Sequence, residues 1–78
     1  MKKVIVETIA KFDIEGKITP IMIVWEDGNK YEIDKVTDTC RRASLKSGGI
    51  GIRYTCYIRN KRIYLFKEDD TWFLEKAQ

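Results

Sequence analysis

Ile52-Arg53-Tyr54-Thr55-Cys56-Tyr57-Ile58-Arg59-Asn60-Lys61-Arg62-Ile63-Tyr64-Leu65-Phe66-Lys67-Glu68-Asp69-Asp70-Thr71-Trp72-Phe73-Leu74 decides the fold, because its apolar side chains recur with a period of two. Polar residues break the alternation twice. A two-residue turn at Asn60-Lys61 would set Ile58 opposite Ile63, Tyr57 opposite Tyr64 and Cys56 opposite Leu65. A second turn at Asp69-Asp70 would set Leu65 opposite Leu74, Phe66 opposite Phe73 and Lys67 opposite Trp72. The two registers agree on one apolar face: Ile52, Tyr54, Cys56, Ile58, Ile63, Leu65, Trp72 and Leu74. That face is the expected core.

Upstream the period stays at two. Val4, Val6, Thr8, Ala10 and Phe12 alternate with Ile5, Glu7, Ile9 and Lys11, and Asp13 to Lys17 then loops around Gly16. A second strand is expected after Pro20, with Ile21, Ile23 and Trp25 in line. Trp25-Glu26-Asp27-Gly28-Asn29 reads as a hairpin whose Gly28 takes a positive φ, pairing Ile23 with Tyr31 and Ile21 with Ile33. About six short strands joined by tight turns imply an all-β chain. It is a single small antiparallel β-barrel or a strongly bent sheet, SH3-like, and closure would remove exposed edges. The stretch Thr37 to Gly51 reads as irregular, with at most one short helical turn near residues 41–46.

Residues 1–78 make one domain with one modest core. No apolar run approaches the roughly 20 residues of a membrane span, and Glu7 ends the early apolar run after three residues. No membrane association is expected, and the expected location is the cytoplasm. Cys40 and Cys56 are too few for a metal knuckle, and the chain has no histidine. Free thiols are expected, with Cys56 in the core and Cys40 beside Arg41 and Arg42. The acidic pairs Glu26-Asp27 and Glu68-Asp69-Asp70 fall at hairpin tips, where solvated carboxylates are the rule. Neither a cofactor nor catalysis is expected.

Charge is the chain's other signal. Residues 39–67 hold eight basic side chains and no acidic one, while the remainder holds 7 basic and all 12 acidic ones. Two features place this charge. The loop Ser44 to Gly51 carries Gly48 and Gly49, whose amides can approach an anion closely, with Arg41, Arg42, Lys46 and Arg53 nearby. The plainer reading of those glycines is a tight turn and a bulge at a barrel corner. The hairpin 53–67 presents Arg53, Thr55, Tyr57, Arg59, Arg62, Tyr64 and Phe66 away from the core, the composition of a surface that stacks bases and holds phosphates. Lys61 extends the same basic track. The plainer reading is aromatic covering of the barrel or a subunit contact.

The segments Ile18-Thr19-Pro20 to Asp34, Arg42-Ala43-Ser44-Leu45-Lys46 to Tyr54, and Tyr64-Leu65-Phe66 with Trp72-Phe73 together resemble a family of small uncharacterised bacterial proteins. That family has no assigned activity, so the resemblance implies no catalytic residue. Trp25-Glu26-Asp27-Gly28-Asn29-Lys30-Tyr31, with the terminal Trp72, is also similar to a small domain found with bacterial translesion-polymerase-like proteins, which implies work near nucleic acid. Two functions are therefore in view. One is a non-enzymatic module binding single-stranded nucleic acid or another polyanion through Arg41, Arg42, Lys46, Gly48, Gly49, Arg53, Tyr57, Arg59, Lys61, Arg62 and Tyr64. The other is a protein-interaction module that docks on an acidic protein or forms a homodimer.

Overall fold

The structure is a computed structural model and describes residues 2–43 and 50–76. Among these residues eight strands form two antiparallel sheets. The larger has the order β1-β8-β7-β6-β5, from Lys2–Ile5 (β1), Thr71–Lys76 (β8), Lys61–Glu68 (β7), Ile50–Ile58 (β6) and Lys35–Ala43 (β5). The smaller has the order β2-β3-β4, from Glu7–Phe12 (β2), Ile18–Val24 (β3) and Lys30–Glu32 (β4). The chain is all-β, and the strongly bent sheet describes it; among the described residues the ladders do not close into a barrel.

Two corners join the sheets. The strand expected from Val4 to Phe12 breaks at Val6, whose N–H donates to the Trp72 carbonyl while its side chain turns into the core. At the other corner Ile33 N–H still bonds to the Ile21 carbonyl, and Asp34 N–H already bonds to the Tyr57 carbonyl. Consecutive amides thus serve different sheets, which satisfies the backbone through the bend.

The expected apolar face is the core. Val4, Leu74, Leu65 and Tyr54 follow one another across β1, β8, β7 and β6. Val6, Ile23 and Cys56 complete the buried cluster, with Trp25, Tyr31, Ile52, Ile63 and Trp72 packed against it. Tyr54 stacks on Trp72 at 5.6 Å between centroids, and its hydroxyl donates to the Ile18 carbonyl at 2.8 Å, tying one sheet to the other. Truncating the fully buried Leu65 to alanine would cost about 2–5 kcal/mol.

Four expectations are corrected. The turn between β6 and β7 is Arg59-Asn60, with φ of 52° and 65°, rather than Asn60-Lys61. Cys56 therefore faces Ile63, and Tyr57 faces Arg62. The pairing shifts by two residues, so each side chain keeps its face. Its cause lies far away in sequence: Asp34 Oδ2 accepts the Arg59 N–H at 2.9 Å and fixes the turn. Secondly, Lys35–Ala43 is a nine-residue strand where an irregular stretch was expected from Thr37. Arg41, Arg42 and Ala43 pair with Ile52, Gly51 and Ile50 instead of making a helical turn, and residues 44–46 lie outside the described ones. Thirdly, Pro20 sits inside β3 at a bulge rather than before the strand. Finally, β5 and the break at Val6 raise the strand count from about six to eight.

The remaining turns follow their sequences. Gly28 has a φ of 88°, donates to the Trp25 carbonyl, and closes the hairpin that pairs Ile23 with Tyr31. Asp13 Oδ1 accepts from Glu15 and Lys17 N–H groups around Gly16. Asp69-Asp70 joins β7 to β8 in the expected register.

Candidate functional site

The outer face of the five-stranded sheet gathers most of the expected aromatic and basic side chains. Strand registers arrange them in rows. One row runs Ile5, Phe73, Phe66, Arg53 and Cys40; the next holds Tyr64, Thr55 and Asp38; a third holds Arg62, Tyr57 and Lys35. Along a strand, neighbouring rows stand about 7 Å apart, two residue rises. Such spacing brings diagonal side chains into contact.

Tyr64 is the centre of the arrangement. The Arg53 guanidinium carbon lies 5.3 Å from its ring centroid, on the diagonal, and that of Arg62 lies 5.7 Å away, two residues along the strand. Lys35 Nζ lies 4.9 Å from the Tyr57 ring. Lys3 Nζ lies 4.1 Å from the Phe73 ring, which stacks on Phe66 at 5.1 Å. Each cation–ring pair contributes about 0.5–1 kcal/mol at an exposed site, and each holds a cation in place without consuming its charge.

Carboxylates are scarce among these partners. Among the described residues the ion pair is Lys3 with Glu68, 3.6 Å apart. Arg53 and Arg62 therefore keep their charge for solvent or a ligand. Arg53 also carries a cost: its Nε is buried and finds no hydrogen-bond partner, a deficit of about 1–3 kcal/mol. Asp38 and Glu75 lie on the same face, so the positive excess is narrower than the run of eight basic residues suggests.

The expected site residues divide in space. Arg53, Tyr57, Arg62 and Tyr64 come together on this face. Arg59 lies in the turn, its guanidinium carbon 5.3 Å from the ring of Tyr31 on the smaller sheet. Arg41 pairs with Ile52, and Lys61 with Ile58, so their registers assign both to the opposite face. Lys46, Gly48 and Gly49 lie outside the described residues, as does the side chain of Arg42. Phe73 lies beside Phe66 as expected but is buried, while Lys3 and Lys35 join the face unannounced. Lys35 lies on a strand whose apolar signal is weak, and Lys3 lies far upstream of the basic segment.

The buried Cys56 has its pKa pushed up to about 11 by burial, and burial followed by the nearby Cys56 raises that of Tyr54. Both stay protonated near neutral pH, so neither supplies charge to a ligand. Both cysteines are free thiols, with Cys40 partly exposed. No group of three or more metal-capable side chains assembles among the described residues, and no helix among them is long and apolar enough to cross a membrane.

What the face defines is a β-surface of fixed cations and partly exposed rings. No protein-family model matches the chain, nor does any curated protein or solved structure. Function therefore rests on the geometry.

Proposed function

We propose that the protein is a non-enzymatic binding module that takes a polyanion, single-stranded nucleic acid above all, on the outer face of its five-stranded sheet. The observation that carries this reading is Tyr64, 41% exposed and flanked by two guanidinium groups with no carboxylate partner among the described residues. Phosphate oxygens would accept from Arg53 and Arg62, with Lys35 adding charge beside Tyr57. Bases would stack on the exposed parts of Tyr64 and Tyr57, and on the guanidinium planes. A duplex offers its bases only at groove edges, so single strands fit a face of exposed rings better.

Fluorescence anisotropy with a short labelled oligothymidylate across a salt series tests the reading. Binding should weaken steeply with salt, and Arg53→Ala or Arg62→Ala should lower the slope by about 0.7 for each phosphate no longer neutralised. An affinity unchanged in both variants would remove the site from this face.

Exposed apolar side chains favour a second reading, a protein-interaction or self-assembly module. Ile5 and Phe12 are 68% and 70% exposed, and Ile9, Ile14 and Ile21 also face solvent. Light scattering on the intact chain and on Phe12→Ser separates the readings. A dimer that dissociates in the variant would favour self-assembly, and a monomer in both would remove it.

A further inference from the structure

The smaller sheet stops short of the larger. β4 pairs with β3 only over Met22–Val24, extended by the Ile33–Ile21 bond, and the chain then crosses to the larger sheet. There, among the described residues, β5 is an edge strand paired with β6. The early part of β3 and the strand β5 thus leave the corner as diverging edges. Between them lies a cleft of about 320 Å³. Lys17 and Thr19 line it from one side, Thr37, Asp38 and Thr39 from the other, and Tyr54 lies between. The Tyr54 hydroxyl bonded to the Ile18 carbonyl joins the two sheets beside it.

We propose that this cleft takes an extended peptide segment of a partner protein, which adds as a strand to the open edge of β5. The edge is nine residues long, and an unpaired edge strand offers its backbone groups to an incoming strand. The facing edge is the poorer template, because Pro20 in β3 has no amide hydrogen to donate. Short threonine side chains flank the cleft where a backbone must come close. Lys17 defines the peptide further: a carboxylate side chain meets its ammonium group at the cleft.

A second copy of this chain fits worse. Thr37 is the extra residue of a bulge between Val36 and Asp38, and such a bulge turns an edge away from flat pairing with another sheet. A flexible peptide can follow the bend that a folded edge strand cannot. The site uses neither Arg53, Arg62 nor Tyr64, so it stands or falls apart from the outer face.

The test is selection of a displayed library of random linear peptides on the intact chain. The enriched peptides are then titrated into isotope-labelled protein. Peptides carrying an acidic residue are expected to enrich, to shift the amides of Val36 to Cys40, and to slow their hydrogen exchange. Thr39→Trp and Thr19→Trp, which fill the cleft from opposite sides, should each weaken binding at least about tenfold. The fold of each variant is checked by its amide spectrum. Failure of any peptide to enrich would overturn the proposal. So would enriched peptides whose shifts fall outside the cleft.

Discussion

Cys56 shows what burial does to a single side chain. It is fully buried, and its thiol is raised from 9.0 to about 11 because the thiolate would lose its hydration. A folded pKa above the unfolded one means that Cys56 favours the folded state fully below the unfolded value. That contribution is lost as pH rises from 9.0 to about 11. Tyr54, also raised, pushes in the same direction. Urea midpoints measured from neutral pH up through this window should fall, and Cys56→Ala should flatten that fall. An identical pH profile in the variant would contradict this linkage. The thiols should also separate kinetically: a thiol reagent labels the partly exposed Cys40 in the native protein and reaches Cys56 only on unfolding. Tyr54→Phe removes the hydroxyl that ties the sheets and should cost about 1 kcal/mol in chemical denaturation.

Among the elements, hairpins are the most legible from sequence, because turn chemistry and a period of two constrain each other. Glu26-Asp27-Gly28 and Asp69-Asp70 specify their registers directly. Gly28→Ala should destabilise by about 1–2 kcal/mol through its φ of 88° alone, since a methyl there meets no atom within 4 Å. A cost near zero would mean that the turn relaxes to another type. The register at Arg59-Asn60 departs from the expected one by two residues because the bond that pins it, from Asp34, is long-range. Asp34→Ala should therefore loosen this hairpin, visible as faster hydrogen exchange at Arg59 and the turn. Strand β5 is not legible at all. Its Thr37-Asp38-Thr39-Cys40-Arg41 carries no apolar alternation, as suits an edge strand with little core to cover. The same lack of pattern hides Lys35 and the cleft.

For the whole molecule, charge in sequence and charge in space are different quantities. The run of eight basic residues suggests one continuous track, but strand alternation sends Arg41 and Lys61 to the register face opposite Arg53 and Arg62. What survives is a compact group around Tyr64 and Tyr57, reinforced by Lys35 and Lys3. The residue types of the site are therefore legible, while their grouping depends on registers that only long-range pairing fixes. The same holds for closure, since the corners at Val6 and Ile33-Asp34 leave two sheets and an open cleft.

Whether the outer face of the five-stranded sheet binds a polyanion is decided by amide-shift mapping of the isotope-labelled chain titrated with a short oligothymidylate at low salt. Saturable shifts concentrated at Lys35, Arg53, Tyr57, Arg62 and Tyr64, reversed by added salt, are expected. No shifts at low salt, where electrostatic attraction is strongest, would contradict it, as would shifts confined to the smaller sheet.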